Sequence, residues 1–228
     1  MPIRILHLSD LHMEKISVSP EQLYNEIKDK EIDLIALTGD YLERVPNIDK
    51  FLRYLDVLHQ VKPKYGIYAV FGNHDYLLRR KISILQEAIE RTGAIVLRNE
   101  NRVIEADGQY INVIGIDDYS TRRSDIEKSY RGIKPGVNLV LTHDPNIVLR
   151  MEDYHFDYLL SGHFHGGQIH WPKPYHLVKM GKLARKKIIK GLHFHQEKPF
   201  YISEGLGQTG LNLRLKSRPE ITLHTLTT

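Results

Sequence analysis

The chain has no cysteine among its 228 residues. That excludes a disulfide framework, a thiolate zinc site and an iron–sulfur cluster, so any metal must sit on nitrogen and oxygen donors. Also missing is an uninterrupted apolar run of the roughly 18 residues that mark a membrane-spanning helix. The first apolar stretch, Ile3–Leu8, holds Arg4 and His7. It is too short and too polar for the core of a signal peptide and reads as a strand. These absences predict a cytoplasmic protein. Neither sign of charge dominates: a formal net charge of +4 is too mild to name a partner by itself. No internal repeat or low-complexity linker breaks the chain. The length suits one domain, residues 1–228, able to bury a full core without disulfides or oligomerisation.

What is abundant is histidine, 13 in all, and its placement is ordered. The chain reads Asp10-Leu11-His12, then Gly39-Asp40, then Gly72-Asn73-His74-Asp75, then Thr142-His143-Asp144, then Gly162-His163-Phe164-His165. Each block follows a short β-branched or aliphatic run, so carboxylates, imidazoles and one amide are delivered repeatedly from strand ends into turns.

The surrounding pattern supports that placement. Ser19-Pro20-Glu21-Gln22 is a capping box with proline at the first helical position, followed by Leu23 and Ile27 one turn apart. Leu34–Thr38 is continuously apolar, as in a strand buried on both faces. Ile48, Leu52 and Leu55 mark a second helix; Gly66–Phe71 is a strand; Ile82, Leu85 and Ile89 mark a third helix closed by Gly93. The order βαβαβα implies a largely parallel sheet. Beyond it, Ile95–Leu97, Arg102–Glu105 and Ile111–Gly115, with Asp107-Gly108 as a turn, suggest an antiparallel meander. Leu139–Thr142 and Tyr158–Ser161 bracket a short helix after Pro145, and Phe200–Ser203 and Ile221–Thr225 are the last strands. Two sheets packed face to face with helices outside fit this order better than one open sheet.

As ligand donors, Asp10 and His12 lie two apart, so on extended backbone both face one ion. Asp40 follows a glycine that allows close backbone approach, and its two oxygens can bridge two ions. Asn73 offers a neutral carbonyl oxygen. His143, His163 and His165 supply imidazoles, the last two again as an i, i+2 pair. Mixed nitrogen and oxygen donors suit manganese, iron or zinc better than calcium. Singly, each block has a bland reading as a turn or an exposed strand; five in order at strand ends do not.

In that order the blocks resemble the signature of the calcineurin-like metallophosphoesterases: D-x-H, G-D, G-N-H-D/E, H and G-H-x-H. The resemblance spans Asp10 to His165. The C-terminal part, through Gly205-Leu206-Gly207 and Arg218–Thr222, is similar to the small bacterial YkuE- and YaeI-like phosphoesterases, with Glu204 where that subgroup would have arginine. The resemblance implies an α/β fold, a four-layer αββα sandwich of two mixed β-sheets flanked by helices. It implies one ion on Asp10, His12, bridging Asp40 and His165, and another on Asp40, Asn73, His143 and His163. It leaves His74 pointing at the scissile phosphate, with Asp75 holding its imidazole, as the catalytic pair. The implied reaction is attack by a metal-activated hydroxide on a phosphodiester or pyrophosphate, and the subgroup extends the expectation to lipid- or envelope-linked substrates. A phosphomonoesterase with the same site is the alternative; from a different class, so is a non-catalytic metal-binding interaction module.

Three other features bear on function. Asp117-Asp118 is either part of the site rim or a solvated turn. Asp144 is either a cap for the helix begun by Pro145, the preferred reading, or a group orienting His143. Lys179–Lys190 is the one concentrated basic stretch, either a solvated face or a rim that attracts an anionic substrate and makes peripheral contact with a membrane. As a nucleic-acid footprint it is too small, and no nucleic-acid partner is expected.

Overall fold

The computed structural model describes residues 2–169, 180–210 and 212–227. The Pro-rich turn at Trp171-Pro172-Lys173-Pro174 and Lys179 lie outside the described residues. The first half runs β1 (Ile3–Leu8), α1 (Pro20–Ile27), β2 (Leu34–Thr38), α2 (Ile48–Gln60), β3 (Ile67–Val70), α3 (Ile82–Arg91) and β4 (Ile95–Val96). The second half runs β5 (Glu100–Ala106), β6 (Gln109–Gly115), α4 (Ile126–Tyr130), β7 (Gly136–Leu141), β8 (Tyr158–Ser161), α5 (Lys182–Arg185), β9 (Gly191–His195), β10 (Lys198–Ile202) and β11 (Thr222–Leu226).

These strands form two sheets, in the orders β11-β1-β2-β3-β4 and β5-β6-β7-β8-β10-β9. Both are mixed. In the first, β1 to β4 are parallel and β11 is antiparallel to β1. In the second, β6, β7, β8 and β10 are parallel and the two edges are antiparallel hairpin partners.

Strand alternation sorts the apolar residues into layers. Ile5, Leu34, Ala36 and Val70 of the first sheet pack on Val113, Leu139, Leu141 and Leu160 of the second. The other face of the first sheet, with Leu6, Leu8, Ile35 and Leu37, packs on α1, α2 and α3. The outer face of the second, with Ile114, Val140 and Leu159, packs on the segment 145–150 and on Leu183 and Ala184 of α5. The result is the αββα sandwich that the resemblance implied, consistent with the two packed sheets read from the element order.

Two local expectations change. The antiparallel meander shrinks to one hairpin, β5–β6, because Ile95–Val96 joins the first sheet beside β3. A two-residue strand carries no alternation that could assign it to a sheet. The second concerns the basic stretch, which divides: Lys182, Arg185, Lys186 and Lys187 are exposed, the interleaved Leu183 and Ile189 are buried, and Lys190 pairs with Glu204 at 2.9 Å. Among the described residues, no helix is long and apolar enough to cross a membrane.

The capping box forms as read: the Gln22 N–H donates to Ser19 Oγ at 3.2 Å, and the Ser19 N–H to Gln22 Oε1 at 2.7 Å. With only eight residues, α1 depends on this cap and on burying Leu23 and Ile27. Ser19→Ala should cost about 1 kcal/mol, read as a lower denaturant midpoint with an unchanged slope. No shift would mean that packing alone holds the helix.

Candidate metal centre

The carboxyl ends of parallel strands from both sheets open on the same edge of the sandwich. Asp10 follows β1, Asp40 follows β2 and Asn73 follows β3; His143 follows β7 and His163 follows β8. Backbone bonds lock these loops together. The Asp10 N–H donates to Gly39 O at 2.9 Å, His12 N–H to Asp40 O at 3.0 Å, and Gly162 N–H to His143 O at 3.0 Å.

Besides a partly buried group of His12, Glu43 and His74, the side chains fall into two compact donor groups, Asp10–His12–His165 and Asp40–His143–His163, each with its ligand atoms within 4.8 Å of one another. All six residues are buried. In the first group His12 Nε2 and His165 Nε2 stand 3.1 Å apart, and Asp10 Oδ1 is 3.2 Å from His165 Nε2. In the second, His163 Nδ1 and His143 Nε2 are 3.2 Å apart. Between the groups lies Asp40 Oδ2, 3.6 Å from His12 Nε2 and 3.2 Å from His143 Nε2. The other Asp40 oxygen is taken by the backbone N–H of His74 at 2.8 Å. Asn73 Oδ1 is buried without a partner among the described residues.

This arrangement suits cations. The Nδ1–H of His143 donates to the Thr38 carbonyl at 2.7 Å, which fixes the tautomer and leaves Nε2 to offer its lone pair inward. Burial drives the His12 imidazole down to about 3 and lowers that of His163, so both are neutral at neutral pH, the form a metal needs. Burial would raise Asp10 and Asp40, but the surrounding imidazoles hold both below the usual carboxylate range. For His143, burial is outweighed by Asp40, which holds the imidazole well above its ordinary value. A divalent ion in each group would replace the proton that these close pairs otherwise have to share.

The route to this geometry differs from the extended-strand reading. Asp10, His12, Asp40, His163 and His165 all have positive φ, at 52°, 42°, 57°, 77° and 50°. Five non-glycine residues in the left-handed region at one site are strain held by the surrounding fold. Side-chain direction here is set by turns and not by strand alternation. Accordingly the His163/His165 pair is split between the two donor groups.

Asp75 also differs. It does not touch the His74 imidazole. Its Oδ2 accepts the N–H groups of Asp40 and Gly72 at 2.8 and 2.9 Å, and its Oδ1 those of Tyr41 and Leu42 at 2.8 and 3.2 Å. It is a buried clamp joining the loops after β2 and β3. Glu43 instead holds His74, its Oε1 2.8 Å from Nδ1. No motif flags Glu43, three residues past the Gly-Asp pair. Arg214 went unread too: its guanidinium gathers the carbonyls of Glu204, Gly205 and Gly207. That loop closes on the site, with Leu206 N–H on Ser9 O and Gly207 N–H on Asp10 O at 2.9 and 2.7 Å. A Cβ at Gly207 would meet Leu11 O at 1.9 Å, so only glycine fits there. Asp144 is the cap, accepting the Asn146 N–H at 2.9 Å. Asp117 and Asp118 are not a solvated turn: both are buried, and Tyr76 donates to Asp117 at 2.5 Å.

A model of the family described as "Calcineurin-like phosphoesterase" matches residues 3–167. The chain is 63% identical over 223 residues to the uncharacterized metallophosphoesterase YkoQ of Bacillus subtilis, covering 97% of this chain and 83% of that protein. It is 31% identical over 229 residues to the phosphodiesterase YaeI of Escherichia coli, covering 97% and 81%. It is 23% identical over 274 residues to the UDP-2,3-diacylglucosamine pyrophosphatase LpxG of Chlamydia muridarum, covering 96% and 82%. Among solved structures, the phosphopantetheinyl hydrolase PptH of Mycobacterium tuberculosis has a TM-score of 0.58 at 11% identity, covering 88% of this chain and 89% of that one. That last likeness is one of fold.

Asp75→Asn tests the clamp. An amide has one acceptor oxygen, so two of the four converging N–H groups would face an NH2 group. At about 1–3 kcal/mol for each buried unsatisfied donor, stability should fall by roughly 2 kcal/mol or more, with weaker metal binding. Unchanged unfolding and metal affinity would show that the loops hold without it.

Proposed function

The chain belongs to the calcineurin-like phosphoesterase family, metal-dependent hydrolases of phosphoric esters, and from that premise we propose that it hydrolyses a phosphodiester or pyrophosphate bond at a dinuclear centre. One ion would be held by Asp10, His12, Asp40 and His165, and the other by Asp40, Asn73, His143 and His163. The observation that carries this reading is the position of Asp40 Oδ2, within 3.6 Å of a donor nitrogen of each group. When bound, the ions supply Lewis acidity: they neutralise phosphoryl charge and acidify a water. Manganese, zinc and iron all suit the donor set. All seven ligand positions are filled, which a non-catalytic binding module would not require. We assign residues 1–228 to one functional unit, since β11 near the C-terminus pairs with β1, which leads to Asp10.

The protein's own residues have distinct tasks. Asp40 is fixed at Oδ1 by the His74 N–H, which leaves Oδ2 free between the two donor groups, where it would serve both ions. The His74 ring, steadied by Glu43 at Nδ1, keeps Nε2 for the leaving oxygen, to which it donates a proton. A cavity of about 310 Å3 over the centre is lined by Asp40, Asn73 and His74 and by the apolar Phe164, Ile169 and Met180. The apolar part of these walls suits an organic substituent. The phosphodiesterase and UDP-2,3-diacylglucosamine pyrophosphatase relatives support a diester or diphosphate over a monoester, and the second of them a lipid-linked one. A lipid-linked substrate would bring the molecule to a membrane surface, where the exposed Lys186 and Lys187 would face the headgroups.

Metal analysis after reconstitution tests the centre. Wild type should bind two ions per chain, and Asp40→Ala one weakly or none; a wild type that takes up no manganese, zinc or iron would refute it. For the acid role, His74→Ala should keep the metals yet lose roughly 10²–10⁴-fold in turnover on esters with poor leaving groups. The loss should shrink for p-nitrophenolate. Equal losses across a leaving-group series would remove His74 as proton donor.

A further inference from the structure

Beside the centre lies a second, larger cavity of about 740 Å3 that the chemistry above leaves unused. It meets the centre at His163 and extends between the loop after β6, the 3-10 turn at Pro145–Arg150 and the start of α5. Its walls carry three cations, Arg122, Arg150 and Lys182, with one buried carboxylate, Asp144, and the flanks of Tyr119 and Leu149. Among the described residues, none of the three cations has a carboxylate at ion-pair distance or a side-chain hydrogen bond. Asp144 does not neutralise them at close range: its Oδ1 is taken by the Asn146 backbone N–H and side-chain amide at 2.9 and 2.7 Å.

These cations stand on built walls. The Asn146 amide donates to Met180 O at 2.8 Å and accepts from the Leu183 N–H at 3.1 Å, which fixes the start of α5 and with it Lys182. A Cβ at Gly181 would meet that amide at 2.5 Å, so the contact is close. Across the cavity, buried Asp118 accepts from Ser120 Oγ and Thr121 N–H, each at 2.8 Å, and fixes the turn that carries Arg122. Arg122, Arg150 and Lys182 are exposed side chains around one concavity, and their unpaired positive charges form a field that an anion relieves.

The cavity also has a direction. His74 lines the smaller cavity and not this one, and among the described residues the two share only His163 and Met180. A substituent leaving on the His74 side and a group lodged in the large cavity are therefore different arms of the same phosphorus. A monoester has one organic arm and would leave this space unused. We propose that the large cavity receives the arm that stays on phosphorus, and that this arm carries a second phosphate bound by Arg122, Arg150 and Lys182. This rests on the hydrolase reading above and narrows its substrate to diesters with an anionic retained arm. Water adds its oxygen to phosphorus, the bond to the leaving oxygen breaks, that oxygen takes the proton, and the retained arm departs carrying both phosphates.

Binding and hydrolysis test this separately. In metal-free protein Asp10 and Asp40 offer an anion nothing, so calorimetric titration with propane-1,3-diol bisphosphate reports on the cavity alone. Wild type should bind it in a salt-sensitive way and more tightly than propyl phosphate. Arg150→Ala and Lys182→Ala should each weaken binding about 10–100-fold, the worth of a charged hydrogen bond. Lys182→Arg should restore most of it. In metal-loaded protein the same variants should raise KM for p-nitrophenyl 3-phosphopropyl phosphate and leave p-nitrophenyl propyl phosphate unchanged. Equal binding in wild type and variants overturns the proposal. So does lost binding with unchanged hydrolysis of the phosphopropyl ester, which would make the cavity a site for free phosphate. If wild type hydrolyses neither diester, the hydrolase reading fails on its own; the metal-free titration then still decides whether the cavity holds a phosphate.

Discussion

Four backbone N–H groups from two loops converge on the buried carboxylate of Asp75, and the position of Asp40 follows from that convergence. An acceptor-only group is needed there, because each oxygen faces two donors. Once the loops are joined, a fifth N–H, from His74, orients Asp40. Close packing seals the arrangement: a Cβ on Gly72 would meet Asp40 Oδ1 at 2.2 Å, and one on Gly39 would meet Gly72 N at 2.5 Å. The glycines of the Gly-Asp and Gly-Asn-His blocks thus serve the contact between two loops more than either turn alone.

Around Asp40 the fold gathers buried imidazoles and carboxylates whose close pairs must share protons when no cation is bound. Two pairs of imidazole nitrogens lie 3.1 and 3.2 Å apart in a buried setting, and two carboxylates stand among them. The same low dielectric that makes this costly when empty makes it bind cations tightly when filled. The strained backbone at five of the ligands belongs to the same account. Strain of this kind persists only where the surroundings over-determine it. Here the surroundings are two sheets whose parallel strands end at one edge, with the Gly205-Leu206-Gly207 loop laid across Ser9 and Asp10 and fastened by Arg214.

The cation-lined cavity extends this logic outward. At the centre, acidic and imidazole donors attract metal; beside it, Arg122, Arg150 and Lys182 present the opposite sign. In the proposed reading a phosphate ester would meet both, its reacting phosphorus at the centre and its further charge along the basic wall. The apolar cavity under His74 supplies the third surface. Of the basic stretch after Lys179, Lys182 belongs to this wall and Lys190 to an ion pair with Glu204, so residues adjacent in sequence do separate work.

The sequence by itself determined the layers and the donors. Period-2 and helical patterning is local, and Leu34–Thr38, the Ser19 cap and the Ile82–Ile89 stripe each carried enough of it to be read directly. The donor blocks were legible because a metal site needs particular atoms, and those atoms are named in the sequence. What only the tertiary structure decided is which neighbours hold the donors and by what backbone path they reach the grouping that the resemblance implied. His163 and His165 part company because positive φ turns their side chains away from the alternation of a strand. Glu43 and not Asp75 reaches His74, Ile95–Val96 joins the first sheet, and Arg122 and Lys182, about sixty residues apart, line one cavity. Each depends on loops that meet only after the two sheets pack, and no local pattern encodes a contact between segments that far apart.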